Sequence, residues 1–169
     1  MSTNDLMDAI KNTLTKLLNQ RIQEIGRAAN MLWIAFGEPI TCINIKGKPV
    51  IKSEFALHIQ CNWAIMDDYQ ILLSDDDFYI PRDGVSSQLF EMEQFGNSRF
   101  DEVSVKLNAT FKAGSVNVAH LDINVSGGFC LELSNHSMIK VCPYNPLEGE
   151  SWRFLMPGSD EEHFVVFEE

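Results

Sequence analysis

From Phe55 to Ile65 the chain alternates without a fault. Phe55, Leu57, Ile59, Cys61, Trp63 and Ile65 take turns with Ala56, His58, Gln60, Asn62 and Ala64. Only an extended strand puts such a set on one side, since a helix would scatter it around its axis. The same parity sends His58 and Cys61 to opposite faces of a sheet. A Cys–His catalytic pair made by these two is therefore not expected, and Cys61 belongs with the core.

Around this strand other periods set other elements. Leu6, Ile10, Leu14, Leu17 and Leu18 recur at helical spacing, and Ile22 and Ile25 continue the stripe, so an amphipathic helix is expected over 5–25. Asn4 is its expected N-cap, Asp5 and Asp8 suit the first turn, and Gly26 is the stop. Residues 28–36 are apolar on both faces, as in a central strand. Gly37-Glu38-Pro39 breaks that strand, a second follows over 40–45, and Gly47-Lys48-Pro49 turns the chain. Phe100, Val103, Leu107 and Phe111 mark a second helix over 100–112.

The C-terminal half reads as a meander. A three-residue loop, Ser126-Gly127-Gly128, pairs Val125 with Phe129 and Ile123 with Leu131. The same parity pairs Leu133 with Ile139 and Leu131 with Val141. On the outer face this register sets Asp122 against Glu132, and Glu132 against Lys140. Two more strands are expected near 151–155 and 163–167. With no linker or internal repeat visible, the expectation is one α+β domain over 1–169. It is a mainly antiparallel, twisted sheet with the N-terminal helix and a second helix packed on it.

Thirteen Lys and Arg against 24 Asp and Glu give a formal charge of −11. Duplex nucleic acid and anionic membrane surfaces are poor partners for such a chain, because phosphate contacts need cations. Met1-Ser2-Thr3-Asn4-Asp5 lacks the basic start and apolar stretch of an export signal, and the longest apolar run is Met31 to Phe36. A cytoplasmic protein is expected. Cys42, Cys61, Cys130 and Cys142 form no C-x-x-C pair, so buried thiols are expected rather than zinc ligands or disulfides. His58, His120, His136 and His163 share no ligand spacing. Asp75-Asp76-Asp77 with Asp83-Gly84 fails the calcium-loop pattern, since Tyr79 and Ile80 occupy its fifth and sixth positions. No catalytic set, metal or cofactor is assigned.

Charge is unevenly spread. Residues 1–60 hold seven cations against five carboxylates, and residues 61–169 hold six against nineteen. Ten of those carboxylates fall within 61–102, where only Arg82 and Arg99 oppose them. A concentrated negative field attracts a basic partner and speeds its arrival. Asp67, Asp68, Asp75, Asp76, Asp77, Glu91 and Glu93 are the candidate partner-binding residues; the alternative is an acidic surface that serves solubility alone.

Trp33-Ile34-Ala35-Phe36-Gly37, the strand Glu54-Phe55-Ala56-Leu57-His58-Ile59-Gln60-Cys61-Asn62-Trp63, Gly127-Gly128 and Trp152-Arg153 are spread over residues 30–167. In these the chain resembles an uncharacterised family of small acidic bacterial proteins with an E-F/Y-A-L-H-x-Q-C-x-W strand. The family pattern continues Pro-Trp-Arg after the cysteine, whereas Asn62-Trp63-Ala64 stands here, so no role of that Arg carries over. The resemblance implies no known enzyme activity, and in size and acidity the chain is similar to the immunity proteins of bacterial toxin systems. The expected function is a protein-binding module, most concretely an immunity-type inhibitor of a basic toxin domain. The alternative is a small-ligand-binding or hydrolytic enzyme using a polar sheet face around His58, Gln60, Asn62 and His120, with Asp122 beside His120.

Overall fold

A computed structural model describes residues 2–143 and 149–167. The chain is an α+β protein with antiparallel sheets. Helix α1 (Thr3–Leu14) is followed by β1 (Ile22–Ala28), β2 (Met31–Ile43), β3 (Pro49–Ile59), β4 (Asn62–Asp67) and β5 (Gln70–Ser74). A short 3-10 helix (Asp75–Tyr79) and a loop lead to α2 (Arg99–Gly114). Then come β6 (Val118–Ile123), β7 (Phe129–Leu133), β8 (Ser137–Cys142), β9 (Glu150–Leu155) and β10 (Phe164–Phe167). The strands divide into two sheets, β1-β2-β3-β9-β10 and β5-β4-β8-β7-β6.

That order hides a repeat. Helix plus five strands occurs twice, and each sheet takes the first three strands of one half and the last two of the other. Equivalent residues stand 96 apart through the first part of each half. Ser2 and Ser98 are both N-caps, with Asp5 and Asp101 completing both capping boxes. Asn19 and Ser115 both adopt positive φ. Both first strands slip register at the same place, after Ile22 and after Val118. Arg21 and Asn117, equivalent to each other, form a lone bridge through which the pseudo-dyad passes. Its flanks are reciprocal: Ile22 N–H donates to Val116 O at 2.9 Å and Val118 N–H to Gln20 O at 3.0 Å. Trp63 pairs with Val141 as Trp152 pairs with Ile59. The expectation of no repeat is therefore corrected: the symmetry lies in backbone register, while few side chains match.

The alternating strand holds its parity but bends from one sheet to the other. Gln60 and Cys61 N–H both donate to the Ser151 carbonyl, at 2.8 and 3.1 Å, and this ends β3 and starts β4. Leu57, Ile59, Cys61, Trp63 and Ile65 stay buried on both sides of the corner. Both sheets and both helices feed one hydrophobic cluster, with Ile10 and Leu14 from α1 and Phe100 and Phe111 from α2.

Several expectations need correction. The N-terminal helix ends at Leu14, and Ile22 and Ile25 lie on β1, because pairing with β2 gives those residues a strand's partners. Its cap is Ser2, not Asn4. Gly26 ends nothing: it lies mid-strand opposite Trp33, whose ring occupies the space a Cβ would need. Gly37-Glu38-Pro39 is a register shift inside one long strand, since Gly37 takes φ +82° there. In the meander the parity is right and the offset wrong by two. Ile123 faces Phe129, Asp122 faces Cys130, His120 faces Glu132, and Leu131 faces Ile139. Asn124 causes the first slip, because its Oδ1 accepts from Ser126 N–H and Gly128 N–H and so widens the turn. At the next turn His136 takes φ 68° and the connection tightens. Of the cysteines, only Cys61 is buried. Among the described residues no helix is long and apolar enough to cross a membrane.

Candidate functional site

The seven carboxylates picked out from sequence do not form one patch. Asp67 and Asp68 are exposed where β4 turns into β5, with Asp68 at φ 45°. Asp75, Asp76 and Asp77 lie at the other end of β5, five residues or about 17 Å away. Glu91 and Glu93 sit on the loop before α2. Asp75 and Asp77 face inward. Asp75 Oδ1 accepts from Trp63 N–H at 3.2 Å, and burial pushes its carboxyl above the ordinary Asp value. Asp77 caps the 3-10 helix by accepting from Ser74 N–H at 2.8 Å, and it pairs with Arg99 at 3.1 Å. These two carboxylates build local structure. Asp76, Glu91 and Glu93 are exposed and form no ion pair among the described residues.

The loop that carries Glu91 and Glu93 is closed at its stem. Arg82 N–H donates to Asn97 O at 2.8 Å and Arg99 N–H to Ile80 O at 2.7 Å, so residues 83–96 make an Ω-loop with adjacent ends. A buried ion pair ties it down. Arg27 on β1 reaches Asp101 on α2 through Nε and Nη2, at 2.7 and 2.8 Å. Arg27 also donates to Ala29 O, and its Nη2 lies 3.4 Å from Gln94 O. Asp101 accepts from Gly96 N–H and Ser98 N–H. Burial works against the charge of Asp101, but hydrogen bonds from Arg27 and Ser98 outweigh it and hold the carboxyl below the ordinary Asp value.

On this anchored loop and its surroundings large side chains face solvent. Leu89 is 76% exposed, Phe95 78%, and Tyr79 on the adjoining 3-10 helix 55%. Sequence reasoning missed them because an exposed aromatic has no periodicity to announce it. The available signal was the aperiodic stretch with Pro81, Gly84 and Gly96, too long for an ordinary connection.

The polar sheet face is real in part. His58 stands opposite Arg153 across β3 and β9. Arg153 pairs with Glu150, donating to it from Nε at 2.6 Å and from Nη2, and its Nη1 lies 3.2 Å from His163 Nδ1. Gln60 reaches Glu150 at 3.4 Å. Burial first, then Arg153 and His163, lower the His58 pKa, while the Arg153 hydrogen bond lowers that of Glu150. His120 and Asp122 are not part of this face. They lie on β6 in the other sheet, beside a cleft under α1, and Asn62 opens β4 across from Cys142. Among the described residues no group of His, Cys, Asp and Glu is placed to hold a metal ion.

Neither a protein-family model, nor a curated protein, nor a solved structure matches this chain.

Proposed function

We propose that this protein is a protein-binding module whose contact face is the loop over residues 83–96 together with Asp76 and Tyr79. The observation that carries this reading is the mixture on that loop. Leu89 and Phe95 project among Glu91 and Glu93 from a backbone pinned by a buried ion pair. Large apolar anchors ringed by charge are what a protein interface uses to gain affinity, and a pre-tied loop loses little entropy on docking. Carboxylates without an internal cation select a basic partner and raise its association rate. In its most concrete form the module is an immunity-type inhibitor that occludes a basic toxin domain, sterically and electrostatically.

The test is affinity capture of the tagged protein from its own cell lysate at low and high salt, followed by binding measurements with what is captured. One stoichiometric basic protein is expected, held less firmly at high salt. The variant D76N/E91Q/E93Q should slow its association several-fold, and Phe95→Ser should speed its dissociation. Undiminished binding by both variants would remove the loop from the interface. Asp75 and Asp77 are left intact in this test because they hold the fold.

A further inference from the structure

The internal repeat makes two seams between a helix and an edge strand, and they differ. In one, α2 lies along β1. Asn108 on α2 closes it: its Oδ1 accepts from Ile25 N–H and its Nδ2 donates to Ile25 O, both at 2.9 Å. This clamp satisfies the outward-facing backbone pair of an edge strand, which otherwise invites another strand. In the other seam α1 lies along β6. The residues equivalent to Asn108 and Ile25, by the offset of 96, are Asn12 and Leu121. Asn12 is exposed and its side chain makes no hydrogen bond among the described residues.

The β6 edge is therefore open. Asn124 N–H donates to Gly128 O across the turn, so by antiparallel alternation residues 122 and 120 also bond to β7, while Leu121 and Ile123 point N–H and C=O outward. Among the described residues nothing takes these groups. Where α2 carries Leu107 and the buried Phe111, α1 and its C-cap carry the exposed Lys11 and Thr15, although a cleft of about 450 Å³ also opens on the α2 seam beside Asn108. A cleft of about 510 Å³ remains between α1 and β6, with Met7, Leu18 and Ile123 lending apolar surface and Asp8, His120 and Asp122 among its polar groups.

We propose that the β6 edge is a second binding site, which takes an extended peptide segment of a partner protein as an added strand. Two outward backbone pairs, at Leu121 and Ile123, supply the main-chain hydrogen bonds, and the cleft takes one apolar side chain of the segment. Asp8 and Asp122 outnumber Lys11, so a basic residue next to that apolar one fits best. The site lies at the opposite edge of the second sheet from β5, four strand spacings or about 19 Å away. It stands independently of the loop face.

The probe is a phage-displayed library of random twelve-residue peptides, selected against the full chain. The expected result is enrichment of peptides alternating apolar and basic residues. Ile123→Pro deletes an outward N–H that the sheet does not use, which an edge strand tolerates, and it should reduce their binding at least tenfold. Asp122→Lys, an exposed change that leaves the backbone alone, should weaken the basic peptides should the proline variant fail to fold. Amide exchange adds a separate readout, since a selected peptide should protect the Leu121 and Ile123 amides. No enrichment overturns the proposal, as do peptides that bind both variants fully. Protection of the Leu121 amide before any peptide is added would also overturn it, because Asn12 would then already close the seam.

Discussion

Arg27 joins β1 to the start of α2, distant in sequence, and to the loop that leads into that helix. Both partners of its ion pair with Asp101 are almost wholly buried. Removing one leaves the other charged and dry, which costs about 3–5 kcal/mol. Asp101→Asn should lower the stability read by urea denaturation by that amount and loosen residues 92–98 to proteolysis. The pH dependence follows from the shifts. Asp101 and Glu150 sit below their ordinary values of 3.8 and 4.5, so the stability they add is present above those values and is lost as pH falls through the depressed ones. His58 sits below 6.5 because burial disfavours its charge. Acidification past 6.5 protonates the unfolded chain first, and stability begins to fall there. The urea midpoint should thus drop in two steps, the first absent in His58→Gln and the second reduced in Asp101→Asn. A single step unaffected by either change would show that other groups govern acid unfolding. Asp101 was legible from sequence only as one more acid in an acidic segment; its partner lies 74 positions away.

At the scale of elements, the repeat separates what the fold requires from what has been added. The second half joins β7 to β8 through residues 134–136 alone. The first half instead extends β2 and β3 beyond Gly37 into a long hairpin, with Ile43, Ile45 and Ile51 exposed and Lys46, Lys48 and Lys52 near its tip. It touches the rest of the chain near residues 157–158: Lys52 Nζ donates to Pro157 O at 3.1 Å, and Gly158 lies under Ile40. Replacing residues 39–53 with a three-residue turn should keep the fold and cost no more than about 2 kcal/mol, since no fully buried core residue is lost. Circular dichroism and urea unfolding check this; collapse of the fold would make the hairpin part of the core. Apart from β1, which hides in a helical stripe, and the five-residue β5, strand existence and parity were readable, because burial on one face dictates them. Registers and ends were not. Asn124 and His136 reset the meander by local turn chemistry, and Ile22 and Ile25 fit a helical stripe as well as a strand until β2 is there to pair with.

For the molecule as a whole, exchanged strands imply one cooperative unit. Neither half can complete a sheet by itself, since β4 and β5 pair with the second half and β9 and β10 with the first. Trp63 and Trp152, at equivalent places in the two sheets, are natural reporters. Variants that keep one of these tryptophans, with the other two replaced by Phe, should unfold at the same urea midpoint by fluorescence as by circular dichroism, once each variant's own stability change is accounted for. Divergent midpoints would show two separable units. Charge acts at this scale too, because the field of a chain at −11 biases encounters with cationic surfaces wherever the final contact is made.

By itself the sequence determined the class of structure, the faces of its strands and the sign of its field. Those depend on period and composition, and local order is enough to read them. Tertiary structure alone decided that the strands divide into two sheets and that the two halves repeat. It also turned Asp75, Asp77 and Asp101 inward and left the β6 edge open where its twin is clamped. Each of these rests on a backbone partner or a buried counter-charge from far along the chain, and such partners carry no periodic mark in the sequence.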